Sequence, residues 1–356
     1  MEYNIVVDRK KTRPSWDGQT LILPFSPDSK LWKRINHPIA LTKELKASPE
    51  ARDLLDVTAV LYYIDKCIPR GERELWCRTM KITMGLRNTQ KFEEIRSQLQ
   101  LCLSILSGDN VEFIVSPITG AREDREPKYK RKWTPPHFTD IALLSGGQDS
   151  NTGASKLLKE SRTTLFVRVN IQDGISSPRL KTKIRSLSET SKSFVFTQPI
   201  MALKTLSGMP IPKESSQRMR SIYFLGIASV IASTYDAKNI HINENGVMAI
   251  HLPLDPSRSS SFSTRTAYPL YLQIYEKIVR KWLSIDGLNV KNAFVLKTKT
   301  EVIKEAIRLG SSDFVMKSIS CAHSATIKRT VKNLKTKKDL IEGNPASLHC
   351  GYCFPC

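Results

Sequence analysis

Two short stretches of the chain have residue types and spacings that could do chemistry. The first is Ser145-Gly-Gly-Gln-Asp-Ser150. A glycine pair behind the short apolar run Ile141-Ala-Leu-Leu144 permits a sharp turn that offers backbone N–H groups to an anion. A helix opening directly behind the turn adds the positive end of its dipole, and the hydroxyls of Ser145, Ser150 and Thr152 add donors. This is chemistry for holding phosphate; a plain serine-glycine turn linking strand to helix is the simpler alternative. Asp149 is an odd neighbour for a bare phosphate, because two anions repel. A bridging magnesium ion explains it, and so does a carboxylate that caps the helix.

The second stretch is Cys350-Gly-Tyr-Cys353-Phe-Pro-Cys356, two overlapping C-x-x-C units whose thiolates can turn toward one ion ~2.3 Å away. Cys321 supplies a fourth ligand, with His323 and His349 as rivals. Thiolates without a neighbouring acid suit a closed structural zinc site; a redox or sulfur-carrying pair and an iron–sulfur cluster are the alternatives. The other cysteines, Cys67, Cys77 and Cys102, lie in or beside apolar segments and read as reduced core residues.

The elements that must carry these groups follow from periodicity. Residues 1–118 read as a small α+β domain, with strands at Tyr3–Val7 and Thr20–Pro24, a helix over Glu50–Cys67, a strand within Trp76–Gly85 and a helix over Lys91–Ser107. Residues 119–139 are charged, proline-containing and aperiodic, including Lys128–Lys132, and read as a basic linker. From residue 140 to 356 a βα series follows: strand Asp140–Leu144, helix Ser150–Glu160, strand Thr164–Asn170, helix Pro178–Ser191, strand Ser193–Thr197, helix Ser216–Tyr235 and strand Asn239–Asn243. Such alternation predicts a Rossmann-like parallel sheet, whose ligands bind at the carboxyl ends of the strands. The site is therefore expected just after Leu144.

The chain has 356 residues and a net charge of +21, which attracts polyanions. Nucleotides, nucleic acid or an acidic protein all fit. The basic clusters, at Lys128–Lys132 and Lys328–Lys338, lack the interleaved aromatics of a base-stacking surface, so nucleic acid is admitted but not favoured. The longest apolar stretch, Ile222–Ser233 with its flanks, falls short of the ~20 residues a bilayer needs, and no basic start precedes an apolar run. No membrane association and a cytoplasmic location are expected.

Strand, SGG-x-DS and helix in this order resemble the pyrophosphate loop (PP-loop) of N-type ATP pyrophosphatases, which cut ATP between its α and β phosphates. Together with the cysteine group, the sequence resembles the QueC-like family of 7-cyano-7-deazaguanine synthases over about Asp140–Cys356. Arg220 resembles the arginine that opens the family's equivalent helix and faces the nucleotide, Thr298-Lys299-Thr-Glu301 its TK-x-E helix start, and Ser320-Cys321 its serine-cysteine pair. The resemblance implies an adenine nucleotide alpha hydrolase fold, ATP with Mg2+, structural Zn2+ on Cys321, Cys350, Cys353 and Cys356, and a 7-carboxy-7-deazaguanine substrate. It assigns Ser145, Asp149 and Lys299 to catalysis, and Ser145, Gly146, Gly147, Asp149, Ser150, Asn151, Thr152 and Arg220 to the nucleotide. Arg265 is assigned to the substrate as the arginine kept from the family's run, whereas Glu244 and Asn245 are assigned to it by position, on the ligand edge of the sheet where the fourth strand ends.

The chain departs from the synthases where they carry a tyrosine-proline-aspartate-cysteine-arginine run. Here stand Glu244-Asn-Gly246 and then Ser263-Thr-Arg-Thr-Ala-Tyr-Pro269, of which only Arg265 keeps the chemistry. With about 135 residues ahead of the loop as well, the chain resembles a divergent QueC-like branch of bacterial antiphage defence loci, in particular the QatC type of the Qat system, and the resemblance implies partner proteins from a defence operon. From the residues alone, Glu244 and Asn245 also fit a plain turn, Arg218 reads as a solvated arginine, and Lys299 fits either an anion at its helix start or a surface lysine. The chain is expected to form an acyl adenylate on a 7-deazaguanine carboxylate and to pass it to ammonia or to a partner's amine. The rival classes are a tRNA-modifying PP-loop enzyme and a non-catalytic nucleotide-binding subunit of a defence complex.

Overall fold

The computed structural model of the chain describes residues 2–36, 47–70, 77–120, 136–170, 194–199, 211–212, 214, 218–250, 265–316 and 318. The helix expected over Pro178–Ser191, the basic runs Lys128–Lys132 and Lys328–Lys338, and all four proposed zinc ligands, Cys321, Cys350, Cys353 and Cys356, lie outside them.

The first sheet is built from β1 (Glu2–Asp8), β2 (Ser15–Trp16), β3 (Thr20–Pro24), β4 (Thr79–Leu86) and β5 (Asn110–Pro117), in the order β2-β3-β1-β4-β5. Burial alternates along β1 and β4, so every second side chain enters the core. Residues 1–118 differ from the expected α+β arrangement in that their sheet is mainly parallel. Only the short β2–β3 pair is antiparallel, and β1 with β3, β1 with β4, and β4 with β5 run parallel. The reason is the intervening helices: α1 (Lys30–Ile35) and α2 (Pro49–Cys67) link β3 to β4, and α3 (Thr89–Glu93) and α4 (Arg96–Ser107) link β4 to β5. The helix expected over Lys91–Ser107 breaks at Glu94–Ile95, which lets both Phe92 and Ile95 reach the core.

The second sheet is parallel throughout, in the order β10-β9-β6-β7-β8, with β6 (Asp140–Leu143), β7 (Thr164–Asn170), β8 (Phe194–Pro199), β9 (Asn239–Ile242) and β10 (Asn289–Asn292). From β6 the chain winds outward through β7 and β8, then returns to the other side of β6 at β9. The order of winding thus reverses between β6 and β9, and in sheets of this kind the ligand crevice lies beyond the carboxyl ends of the two strands at such a point. Helix α5 (Gln148–Lys159) covers one face together with α9 (Lys299–Arg308) and α10 (Ser312–Met316), and α6 (Arg220–Tyr235) covers the other. Helix α7 (Gly246–Ile250), a 3-10 turn at Arg265–Ala267 and α8 (Pro269–Leu283) complete the described elements.

Helix α2 joins the two sheets. It starts on Ser48, whose hydroxyl accepts from the Ala51 N–H, with Pro49 at its first turn, and it is buried on all sides from Ala51 to Asp65. A helix buried all round belongs inside a protein, and α2 crosses α6 there. The crossing is close at Gly226, where an added Cβ would come within 2.3 Å of Thr58 Oγ1. One apolar core consequently runs from Tyr3 through α2 and α6 to Leu288, and Trp282 of α8 meets Phe92 of α3 edge-on at 5.6 Å. Cys67 and Cys102 are buried in it, as expected; Cys77 is exposed, because it precedes β4 and not an apolar face.

A buried ionic cluster reinforces this junction. Asp65 accepts from Arg78 at 2.7 Å and Arg70 at 3.1 Å, and Asp109 accepts from the same two arginines at 2.7 Å and 2.6 Å. The second Asp65 oxygen accepts from the Met219 N–H at 2.9 Å, which fixes the head of α6 to α2. Arg218 is buried beside the cluster, not solvated, and donates to the Ser107 carbonyl at 2.9 Å. Burial, with Arg70 nearby, pushes its pKa down to about 10. No helix among the described residues is long and apolar enough to cross a membrane.

Candidate active site

The loop after β6 turns at Gly146, whose φ of 85° is open to glycine without strain. Its hydroxyls hold its shape. Ser145 Oγ and Ser150 Oγ are 2.9 Å apart, Gly146 N–H donates to Ser150 Oγ at 3.1 Å, and Gly147 N–H donates to Ser145 Oγ at 3.2 Å. Helix α5 begins at Gly147 with no side-chain cap hydrogen bond, so Asp149 does not cap it. Its amino terminus keeps the partial positive charge that favours an anion.

Asp149 is where the elements converge. One carboxylate oxygen accepts from Lys299 Nζ at 2.6 Å, the other from Asn245 Nδ2 at 2.8 Å. Lys299 opens α9, whose amino end is fixed by a reciprocal pair: Thr298 Oγ1 accepts from the Glu301 N–H, and Glu301 accepts from the Thr298 N–H. The anion that an unfavourably placed lysine calls for is thus the loop's own carboxylate. Asn245 follows β9, and its Oδ1 accepts from the Met248 N–H at 3.1 Å, which points the amide N–H group at Asp149. Gly246 lets this turn approach the segment before α9: its N–H donates to the Lys297 carbonyl at 2.7 Å, and a Cβ would meet the Val295 carbonyl at 2.5 Å.

Glu244 lies between these groups. Burial, and after it the charge of Asp149, raises its carboxyl to about 7, against the opposing pull of Lys299 and Arg220. Arg220 starts α6 from the opposite side of the crevice, its guanidinium 5.8 Å from the Phe224 ring centroid. Asp149, Lys299, Glu244, Asn245 and Arg220 therefore form one electrostatic group at the carboxyl edge of β6 and β9. It holds three cationic or donor groups around two carboxyls, one of which changes charge near neutrality.

Three sequence-assigned residues are placed differently. Arg265 donates to the Ile105 carbonyl of α4, which turns its guanidinium to the first half of the chain. Thr152 is fully buried and donates to the Gln148 carbonyl inside α5, which removes it from the loop's donors. Asn151 faces Ser318, donating to its Oγ at 2.5 Å and to the Gly146 carbonyl at 3.2 Å, so it supports the loop from behind. Sequence reading missed a further polar group. Asp140, opening β6, accepts from Thr139 and from Arg162 at 3.3 Å, and lies 2.7 Å from His241 Nε2 on β9. Burial pushes this carboxyl up, but His241, Thr139 and Arg162 outweigh it and hold it below the usual range. The available signal was a carboxylate at the start of an otherwise apolar strand.

No family model matches the chain. Likewise, no curated protein sequence matches it significantly.

Proposed function

We propose that the chain is a QueC-like, PP-loop, ATP-dependent ligase that adenylates the carboxylate of 7-carboxy-7-deazaguanine, releases pyrophosphate and passes the acyl group to an amine of ammonia or of a partner protein, in the cytoplasm and in antiphage defence. The observation that carries this reading is the convergence of Lys299 and Asn245 on Asp149 of the SGG-x-DS loop, at the point where a parallel sheet reverses its order of winding. The parallel strand order around β6 is compatible with a Rossmann-like fold, of which the adenine nucleotide alpha hydrolase domain proposed here is one form.

The residues fit the implied nucleotide. An uncapped helix start and a glycine turn suit phosphate oxygens, and Lys299 and Arg220 suit the negative charge that builds on phosphorus as pyrophosphate leaves. ATP supplies the leaving group that turns a carboxylate into an acyl donor. Magnesium would be held by Asp149 with the nucleotide's phosphates; hard carboxylate oxygens are its usual ligands. Zinc would be held by Cys321, Cys350, Cys353 and Cys356, and Glu244 and Asn245 would face the deazaguanine. In this reading Arg265 acts through the packing of α4 rather than on substrate.

The test is product analysis. With α-labelled ATP and 7-carboxy-7-deazaguanine, AMP and pyrophosphate are expected; formation of ADP alone, or no ATP turnover with this acid, would overturn the assignment.

A further inference from the structure

Away from the loop, a cleft of about 380 Å³ runs along α5 between Gly153 and Arg162 and is closed on its far side by β9 and β10. Such a volume lies at the small end of ligand sites. The sheet carries His241 and Lys291 there, on the face of Ala142, because residues 241 and 291 are partners in the β9–β10 register. Lys156 approaches from α5.

The polar groups of this cleft are biased toward donors. Lys156 and Lys291 have no ion-pair partner among the described residues. Asn243, directly after β9, keeps a buried amide N–H group that has no acceptor among the described residues. Asn292, at the end of β10, ties the border of the cleft together, since its Oδ1 accepts from the Glu244 N–H at 3.3 Å and from the Phe294 N–H at 3.1 Å. Asn243 is 5% exposed and is held against α5 at Gly153, where an added Cβ would fall 2.1 Å from its side chain. The acids that border the cleft are already engaged: Glu160 accepts from Arg162 at 2.9 Å, and Asp140 accepts from Arg162 and contacts His241. Buried donors without acceptors are costly, and converging donors with uncompensated positive charge select an oxyanion.

We infer that this cleft is a second anion site, separate from the SGG-x-DS loop, that binds the phosphate group of a phosphate ester through Lys156, Lys291 and Asn243. Its position gives it a route to the candidate active site, because Asn243 is the residue before Glu244 and Asn292 accepts the Glu244 N–H. The phosphate can belong to a small ester or to the end of a nucleic acid strand, for which the net charge of +21 also has an attraction.

The test reads the cleft locally. The full-length protein, labelled on its histidine rings, is titrated by NMR with inorganic phosphate, with AMP and with a short 5′-phosphorylated RNA, and the His241 signal is assigned by its loss in His241→Gln. A saturable shift of that signal is expected, weakened at least tenfold in the Lys156→Ala/Lys291→Ala double variant and retained in Asp149→Asn. Both lysines are at the surface of the cleft, so the double variant folds. Stronger binding of AMP identifies a small ester, and stronger binding of the RNA identifies a strand end. No saturable shift with any of the three, or an equal shift in the double variant, overturns the site.

Discussion

Asp149 accepts from a lysine and an amide at once, and its neighbour Glu244 is the group that pays electrostatically for that carboxylate. Two consequences can be measured. Lys299→Met removes the cation nearest both carboxyls and is expected to lower ATP turnover by about 10²–10³-fold, the usual loss when a donor aimed at developing charge is removed. The Lys299–Asp149 pair is partly exposed and contributes at most about 1 kcal/mol, so the midpoint of thermal unfolding should stay within a few degrees. Turnover close to that of the unaltered chain would remove Lys299 from catalysis. The second consequence is a pH dependence. Glu244 titrates at about 7 in the folded chain against an ordinary 4.5, so between those values the folded state holds more protons than the unfolded state. Stability therefore falls as pH rises from 4.5 to 7 and is level above. Glu244→Gln abolishes this loss and should gain on the order of 2 kcal/mol relative to the parent at pH 8 but little at pH 5. Unfolding curves of both proteins at the two pH values check it; an equal difference at both would show that Glu244 is not raised.

At the scale of elements, close approaches of backbone decide the geometry. Gly226 brings α6 against α2 at Thr58, and Gly246 brings the turn after β9 against the Val295 carbonyl. Gly226→Ala should cost about 1–3 kcal/mol by overpacking, and Thr58→Ala should recover part of that loss in the double variant, because two of the three crowded atoms are then gone. Urea unfolding measures both, and additive effects would mean that the helices do not cross here. Such crossings were not legible in the sequence, whereas the elements themselves largely were. The loop, its strand and α5 could be read because glycine pairs and apolar runs are local signals; Lys299 was legible only as a choice between an anion partner and a surface lysine, because its partner Asp149 lies 150 residues away. β10 went unread: Asn289–Asn292 holds one apolar residue, Val290, too little for a period of two. Arg218 and Arg265 were misplaced for another reason. Their acceptors, the Ser107 and Ile105 carbonyls, lie 111 and 160 residues away in sequence, and charge alone does not tell which element an arginine will meet.

At the scale of the molecule, the described residues form two mainly parallel sheets around one shared pair of helices, and this bears on how it unfolds. If the first 118 residues were an independent module, α6 would need its own cover. Instead α2 lies between the sheets and buries the same apolar surface for both, and Asp65 at its end holds the first N–H group of the α6 head. Removing residues 1–118 would expose the α2-facing side of α6, strip Asp65 from Met219 and leave Arg218 without the Ser107 carbonyl. The positions of Arg220 and Glu244 then lose their support, which links the amino-terminal half to the crevice without any of its residues touching substrate. Asp65→Ala tests the same link with one residue. It leaves Arg70 and Arg78 short of a buried carboxylate and is expected to cost about 3–5 kcal/mol. Native-state hydrogen exchange should show the amides of Ile5 and Ile82 in the first sheet and of Ile141 and Ile240 in the second opening with one common free energy, lowered equally in both sheets by Asp65→Ala. Two separate opening energies, with only the first sheet responding to the substitution, would show that the sheets are independent units and that α2 belongs to one of them alone.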